Sequence, residues 1–275
     1  MTAPGHLRIE ETLLAPGREW TDESAAWRFV RISTGAAYWL GAANPRALTE
    51  GEVLVISPAA RALVRASQIN NVSLHGFTFV PEWLCGFFTL AERRFLETAA
   101  GPGQPVSFLP STHPVTRGFA ALVARGDSDP RLVQRAGVLG LVAGYFGQAL
   151  SCQQLPPGGS PSVPDRFEEI ICQMPDLELI HHSPEQLARL CGCSPRHFSR
   201  LFRQRFGVSP RRRQTEMRLL NARELLAHSE KKIVQVALDS GYRSSSLFNA
   251  LFKRRFGMSP SAWREQAAKT NGKLF

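Results

Sequence analysis

The segment Arg205-Phe206-Gly207-Val208-Ser209-Pro210 returns 50 residues later as Arg255-Phe256-Gly257-Met258-Ser259-Pro260. Upstream of each segment, the two copies share a glycine and two phenylalanines. These are Gly192, Phe198 and Phe202 in the first copy and Gly241, Phe248 and Phe252 in the second. Self-similarity at a fixed period indicates a repeated structural unit. The C-terminal part of the chain therefore contains two copies of one unit.

Each copy predicts a short helix, a glycine turn and a second helix. In the first copy, Ser183-Pro184-Glu185-Gln186 has the form of a capping box with proline at the first helical position, and the helix ends before Gly192. Ser194 and Pro195 start the next helix, and its apolar residues recur at helical spacing. This arrangement is typical of a helix-turn-helix, whose second helix can enter the major groove of DNA.

The polar face of each second helix carries the residues that we expect to contact DNA. They are Arg196, Ser199, Arg200 and Arg203 in the first copy and Ser245, Ser246, Asn249, Lys253 and Arg254 in the second. Arg196 and Arg200 can each donate two hydrogen bonds to guanine, and Asn249 can pair similarly with adenine. Arg203 and Lys253-Arg254 lie further along their helices, where contacts to phosphates are expected. Because the second copy has serines where the first has arginines, we expect it to read bases less strictly.

A helix predicted from Thr215 to His228 joins the two copies. It would hold both second helices at a fixed separation. If these helices enter successive major grooves on one face of DNA, they must lie roughly 34 Å apart.

Charge separates the two parts of the chain. Residues 162 to 275 hold 20 Lys or Arg against 11 Asp or Glu, a balance of +9, whereas residues 1 to 161 hold 13 Arg, no Lys and 12 acids, a balance of +1. The whole chain has 275 residues, of which 43% are hydrophobic and 20% charged, and this composition excludes a disordered or collagen-like protein. A basic domain is typical of nucleic-acid binding, although a domain that binds a membrane surface would give a similar count.

The C-terminal part, over about residues 165 to 266, resembles the DNA-binding domain of the AraC/XylS family of bacterial transcription regulators. The resemblance covers both helix-turn-helix units and their Phe-Gly-x-Ser-Pro endings. It implies control of transcription from promoter DNA, usually activation through contact with RNA polymerase. The chain departs from the family pattern at Arg213, because an aromatic residue is expected there, as Trp263 follows the second Ser-Pro.

The N-terminal part alternates with period two, which predicts short strands. The clearest runs are 27–32, 53–56, 62–65 and 72–79. From about residue 115 the period changes toward 3.6, which predicts a long helix. Its apolar stripe consists of Leu132, Ala136, Leu139, Val142, Phe146 and Leu150. This stripe could form a dimer seam or pack within the chain, and the glycines at 137, 140, 144 and 147 would let a second helix approach another face closely.

We therefore predict an α+β protein with four regions. Residues 1–112 form a sensory domain, residues 113–153 a helical dimerisation region and residues 154–164 a linker rich in Pro, Gly and Ser. Residues 165–275 form the all-α double helix-turn-helix domain. In the AraC/XylS family the sensory domain commonly resembles a cupin β-barrel, and residues 48–58 look like the turn and strand of such a barrel.

Two short motifs in the sensory domain suggest a ligand. Arg61 and Arg65 form an RxxxR motif, and Asn71, Ser73 and Gly76 form an NxSxxG motif. Together they resemble the cyclic di-GMP motif pair of PilZ domains, although the gap is shorter than usual. Arginine forks suit phosphates and a guanine edge. An arginine-bearing surface hairpin with a glycine bulge is the alternative interpretation.

The combined prediction is a cytoplasmic, homodimeric transcription activator that binds promoter DNA and RNA polymerase and responds to cyclic di-GMP. It has no catalytic residues, metal site or cofactor, since His6, His75 and His113 are scattered and no His-x-His occurs. No apolar run reaches the roughly 20 residues of a membrane helix. The alternatives are another small-molecule effector in the barrel, a cupin-type enzyme fused to a DNA-binding domain, and an architectural DNA binder without sequence preference.

Overall fold

A computed structural model of the chain describes residues 6–41, 45–100, 106–126, 129–151 and 162–271. The chain divides into two compact units. Unit 1 comprises Met1–Val80 and Phe95–Gln154, and unit 2 comprises Pro81–Arg94 and Leu155–Phe275. The segment Pro81–Arg94, which was expected in the sensory domain, groups with unit 2.

The strands of unit 1 form two antiparallel sheets. In chain order the strands are β1 (Glu10–Leu14), β2 (Glu19–Asp22), β3 (Trp27–Thr34), β4 (Ala37–Trp39), β5 (Arg46–Leu48), β6 (Val53–Ile56), β7 (Ala62–Ala66), β8 (Val72–Phe79) and β9 (Val106–Leu109). The five-stranded sheet has the order β1-β8-β3-β6-β9, and the four-stranded sheet has the order β2-β7-β4-β5. The four strands predicted from alternation are confirmed as β3, β6, β7 and β8.

One apolar core fills the space between the two sheets. Ile32, Leu54 and Leu74 contribute to it from the five-stranded sheet, and Trp39 and Val64 from the four-stranded sheet. All five side chains are buried, with at most 3% exposed. The two sheets therefore pack face to face through alternate residues of each strand. Assignment of this arrangement to the cupins stays a prediction.

The helices follow in chain order. They are α1 (Leu90–Ala99), α2 (Pro114–Arg125), α3 (Arg131–Ser151), α4 (Val163–Arg166), α5 (Pro184–Leu190), α6 (Pro195–Phe206), α7 (Pro210–His228), α8 (Ile233–Asp239), α9 (Ser245–Phe256) and α10 (Pro260–Asn271). The boundary between the two units falls within α1, after Arg94.

The long helix α3 is confirmed, but its predicted apolar stripe is only half correct. Val142 and Phe146 are buried, and Phe146 packs edge-on against Trp27 with ring centroids 5.0 Å apart. Leu132, in contrast, is 78% exposed, and Ala136 is exposed as well. The side chain of Leu150 lies outside the described part of the chain.

At Gly137 the close approach expected for the glycines of α3 is made by α2 of the same chain, whereas a Cβ atom at Gly140 or Gly147 would meet open space. A Cβ atom at Gly137 would lie 2.5 Å from Leu122 Cδ2, and one at Gly118 would lie 2.9 Å from Leu141 Cδ2. Both distances are too short for a side chain at the glycine without movement of its neighbour. These two glycines therefore serve packing within unit 1.

The described part of the predicted linker begins a helix. Residues 154–161 lie outside the described residues, but Ser162 caps α4 through a capping box with Asp165. Val163 and Pro164 are its first two residues, so their assignment to the linker is wrong. Proline fits here because the first helical turn needs no backbone donor.

Candidate nucleic-acid interface

The helix α6 is held in unit 2 by a cap at each end and by a buried aromatic face. The Ser194 side chain accepts a hydrogen bond from the backbone N–H of His197, and Gly207 ends the helix in the left-handed conformation with φ of 74°. Phe198, Phe202 and Phe206 are each 0% exposed. As Phe residues at spacing four lie on one side of a helix, their burial fixes the direction of the opposite side.

The opposite side of α6 presents the predicted DNA contacts to solvent. Five side chains line one open, shallow depression: Arg196, Ser199, Arg200, Arg203 and Gln204. Four of them were predicted. Gln204 was not, although its spacing of four residues from Arg200 puts it on the same side of the helix.

The helix α9 repeats this construction. Ser244 caps it by accepting a hydrogen bond from the Leu247 N–H, Gly257 ends it with φ of 78°, and Phe248 and Phe252 are fully buried. The five residues predicted for the second copy are all exposed: Ser245, Ser246, Asn249, Lys253 and Arg254. Leu247, which was not predicted, is also 54% exposed at this end of the helix.

Equivalent arginines near the end of both helices are neutralised by partners within unit 2. Arg205 pairs with Glu168 at 2.9 Å, and Arg255 pairs with Glu216 at 2.8 Å. In the described part of unit 2, Arg196, Arg200 and Arg203 have no such acidic partner. The outward side of α6 thus carries positive charge that an anion can reach.

The helix α7 connects the two pairs of helices, as predicted, but it is longer than predicted. Ser209 caps it by accepting a hydrogen bond from the Arg212 N–H, and the helix runs for 19 residues from Pro210 to His228. Arg213, at the position where an aromatic residue was expected, is 6% exposed. In the second copy, Trp263 packs against Phe256 with ring centroids 5.4 Å apart.

The turn between α5 and α6 requires glycine. Gly192 has φ of 66°, and a Cβ atom there would lie 2.9 Å from Arg166 Nη2. Arg166 Nε in turn donates a hydrogen bond to the Cys191 carbonyl at 3.0 Å. Burial raises the pKa of the Cys191 thiol to about 11, so this cysteine is a neutral part of the packed turn.

Comparison with known proteins agrees with this geometry. Residues 187–266 match the model of a family described as a helix-turn-helix domain. These residues form a helix-turn-helix domain. The match includes α6 and α9 and ends within α10.

The relatives of this helix-turn-helix domain are named as transcription regulators. An uncharacterised regulator of Haemophilus influenzae is 39% identical over 84 residues, which cover 30% of this chain and 28% of that protein. ExsA of Pseudomonas aeruginosa is 43% identical over 25% of this chain and 24% of its own. The activator RhaR of Klebsiella pneumoniae is 34% identical over 30% of this chain and 31% of its own. The chain thus spans between a quarter and a third of the length of these relatives.

Solved structures give a weaker likeness over the whole chain. An apo ToxT variant from Vibrio cholerae aligns with 94% of this chain and 96% of that chain, at 14% identity and a TM-score of 0.40. A score this low does not establish a shared fold outside the helix-turn-helix domain.

The two motifs that suggested cyclic di-GMP lie in different sheets. Arg61 precedes β7 and Arg65 lies within it, in the four-stranded sheet, whereas Ser73 and Gly76 lie in β8 of the five-stranded sheet. Asn71 comes just before β8 and is exposed.

The side chains of these motifs also point to opposite outer faces. Arg65 lies between Val64 and Ala66, both of which face the core shared by the sheets, and Ser73 likewise lies between two core residues. Successive side chains of a strand point to opposite faces, so Arg65 and Ser73 both face away from that core. Arg65 pairs with Glu19 and Ser73 donates to Glu11 Oε1 at 2.8 Å. The core of unit 1 therefore lies between Arg65 and Ser73, and the predicted ligand residues do not share one face.

The three N-terminal histidines have separate structural roles. His113 caps the helix that begins at Pro114, His75 Nδ1 lies 2.7 Å from the Ser33 hydroxyl, and His6 accepts a backbone N–H at 3.3 Å. Within the described ranges, no group of three His, Cys, Asp or Glu side chains has a geometry that could hold a metal ion. In the same ranges every helix is too short or too polar to cross a bilayer.

Proposed function

We propose that this chain is a sequence-specific DNA-binding transcription regulator of the AraC/XylS type, and that it activates transcription. The helices α6 and α9 are its two recognition helices. The proposal assigns no catalytic role to any residue.

One observation carries the proposal: each recognition helix buries its phenylalanines and presents its polar side outward, and the arginines on the outward side of α6 have no acidic partner in the described part of unit 2. A helix side that carries unpaired arginines does not pack into a protein core. The major groove of DNA accommodates an α-helix and offers hydrogen-bond acceptors to arginine. The names of the relatives, which include a transcriptional activator, support the same function.

The two recognition helices would contribute unequally to specificity. Arg196 and Arg200 of α6 suit guanine O6 and N7, so the half-site under α6 would be read strictly. The helix α9 offers Asn249 for adenine and the exposed Leu247 for contact with a thymine methyl group, and its Lys253 and Arg254 would contact phosphates.

Unit 1 is proposed as the sensory part, with a small molecule as the effector. An effector must bind one state of the protein more tightly than the other, because equal affinity for both shifts no equilibrium. Cyclic di-GMP is not carried into this proposal, since the residues that suggested it lie on opposite faces of unit 1. The proposed partners are promoter DNA and RNA polymerase.

Dimerisation through residues 113–153 is part of the proposal. Leu132 and Val133 of α3 are 78% and 43% exposed, so α3 retains an apolar surface after packing on α2. Light scattering of the full chain is expected to give a dimer mass, and Leu132→Glu is expected to lower it to that of a monomer. A monomer mass for the unaltered chain would exclude this seam.

The function is tested by enrichment of duplexes from a randomised DNA library with the full chain at fixed salt. We expect a consensus with two half-sites, centred about one helical turn apart, of which one is rich in G·C pairs. Enrichment without a consensus would favour the architectural DNA binder. Absence of binding at low salt would refute a role in nucleic-acid binding altogether, because phosphate contacts are strongest there.

A further inference from the structure

Unit 2 contains a segment from the N-terminal half of the chain, Pro81–Arg94, which we call the strap. It consists of a 3₁₀ turn at Pro81–Trp83, an irregular stretch and the first residues of α1. The chain enters the strap from unit 1 and returns to unit 1 after it, so that unit 2 is discontinuous in sequence.

Backbone hydrogen bonds attach the strap to the segment before α5. The Leu90 N–H donates to the Met174 carbonyl at 2.9 Å, and the Asp176 N–H donates to the Phe88 carbonyl at 2.8 Å. Thr89 lies between these two bonds and pairs with Pro175 as an antiparallel bridge. The strap thus adds an extended segment to unit 2.

A buried ion pair secures this attachment. Arg93 Nε donates a hydrogen bond to Asp176 Oδ2, and Arg93 Nη2 forms an ion pair with the same oxygen. The two side chains are 2% and 0% exposed. Asp176 Oδ1 also accepts the Gly86 N–H at 2.7 Å, and Arg93 Nη2 reaches the Pro81 carbonyl at 3.4 Å. Asp176 therefore holds two points of the strap through one carboxylate.

The strap contacts the first recognition helix. Leu90 is 2% exposed and belongs to the same core cluster as Phe198, Phe202 and Phe206, the buried face of α6. At the end of α6, the Arg94 guanidinium lies so close that a Cβ atom at Gly207 would be 3.3 Å from it.

The strap also contacts the connecting helix α7. The Arg223 guanidinium donates to the Glu82 carbonyl at 2.6 Å and lies 5.8 Å from the centre of the Trp83 ring. Cys85 packs against the cluster that includes Met217 of α7. One continuous segment therefore touches both the first recognition helix and the helix that leads to the second.

We propose that the strap sets the orientation of α6 relative to α7, and that Arg93 and Asp176 are its positioning residues. The inference rests on the proposed function, since orientation of α6 matters for reading one half-site. If only a fraction of the molecules has the orientation of α6 that binds DNA, the apparent Kd for DNA is the intrinsic Kd divided by that fraction.

The burial of Asp176 supports a role beyond stability. Desolvation raises the pKa of this carboxyl, against the opposing effects of Arg93 and the Gly86 N–H. A raised pKa means that the folded state carries the charged form at a cost, and buried ion pairs are often no more stable than apolar replacements. The pair does fix position, because the Asp176 carboxylate holds both Arg93 and the Gly86 N–H.

The test compares three full-length variants with the wild type. Arg93→Lys keeps the positive charge but lacks the planar guanidinium with its Nε and Nη2 donors. Arg93→Met leaves Asp176 without its main partner. In Arg93→Met combined with Asp176→Asn, neither charge of the pair remains and the acceptor for the Gly86 N–H is kept, so this variant is the one expected to fold. Arg46→Met, which removes an exposed ion pair with Glu52 in unit 1, is the matched control.

Two measurements are made on each variant after thermal unfolding has established that it folds. The first is the Kd for the enriched duplex and for duplexes altered in one half-site. The half-site read by α6 is identified as the one at which Arg200→Ala lowers discrimination between bases. The second is hydrogen exchange of the amides of α6 and α9.

We expect the double variant to bind the enriched duplex about tenfold more weakly, as for a competent population of about one tenth. Discrimination between bases should fall at the half-site of α6 and stay unchanged at the half-site of α9. Arg93→Lys should show a loss of discrimination intermediate between those of the wild type and Arg93→Met. Exchange should rise in α6 and not in α9. Arg46→Met should match the wild type.

The inference is overturned if the folded double variant keeps both its discrimination and the protection of α6. An equal loss at both half-sites would also overturn it, since that result indicates general destabilisation. If the wild type enriches no consensus, the proposed function fails. Comparison of amide hydrogen exchange in α6 with that in α9 among the variants then still decides whether the strap orients α6.

Discussion

Replacement of Arg200 and of Arg203 should have two different effects on DNA binding. Both side chains line the same exposed depression on α6. A bidentate contact to guanine contributes about 1 to 3 kcal/mol of discrimination, so Arg200→Ala should lower the preference for the correct base about 5- to 160-fold. Its effect should be small on duplexes that already lack that base.

Arg203→Ala should instead change the salt dependence. With phosphate contacts from Arg203, Lys253 and Arg254, each chain would neutralise about three phosphates, which corresponds to a slope of log K against log salt of about −2.7. Loss of one contact should reduce the slope to about −1.8, while the order of preference among duplexes stays the same.

Fluorescence anisotropy with labelled duplexes, from about 50 to 200 mM salt, separates the two effects. Arg205→Ala is the matched control, because Arg205 lies on the same helix but pairs with Glu168. This control should keep both the preference and the slope. The reasoning is refuted if Arg200→Ala weakens binding equally for all duplexes, or if Arg205→Ala changes base preference as much as Arg200→Ala does.

Four further outcomes are expected. Phe202→Ala and Phe252→Ala should each destabilise unit 2 by about 3 to 5 kcal/mol in denaturant unfolding, because both rings are fully buried, and a loss under 1 kcal/mol would contradict the packing. Burial raises the pKa of Tyr242 to about 12, so the free energy of unfolding should fall as the pH rises from 10 toward 12, by an amount on the order of 2 to 3 kcal/mol. Denaturant unfolding at a series of pH values measures this fall, and Tyr242→Phe should abolish it. The half-buried Cys85 thiol, whose pKa desolvation raises to about 12, should react with a disulfide reagent at pH 8 far more slowly than a free thiol does, and labelling of the native protein at the rate of a free thiol would contradict this. Titration calorimetry with cyclic di-GMP should give no heat of binding, and saturable binding would require a site other than the two motifs.

The parts of the fold that could be predicted are those in which local signals agree. Ser-Pro starts and glycine ends define α5 and α6 in the sequence as they do in the structure. The start of α7 was missed although Ser209-Pro210 carries the same signal, because the run Arg211-Arg212-Arg213 hides the apolar period. β1 was missed because it lies at a sheet edge and most of its residues are exposed.

The rest depends on contacts between distant residues, which spacing along the chain does not encode. The RxxxR and NxSxxG motifs are neighbours in sequence, yet β7 and β8 belong to different sheets. Arg93 looks like an ordinary polar residue of an amphipathic helix, and its partner Asp176 is 83 residues away. The outward side of α6 was predictable because the repeat fixed its buried side.

The discontinuity of unit 2 matters for the construction of chimaeras from this chain. A chimaera that grafts only residues after 161 onto a foreign sensor would leave Asp176 without Arg93 and would uncover the apolar surface beneath Leu90. A functional graft has to carry residues 81–94 as well, with a loop that returns them to their place beside Pro175.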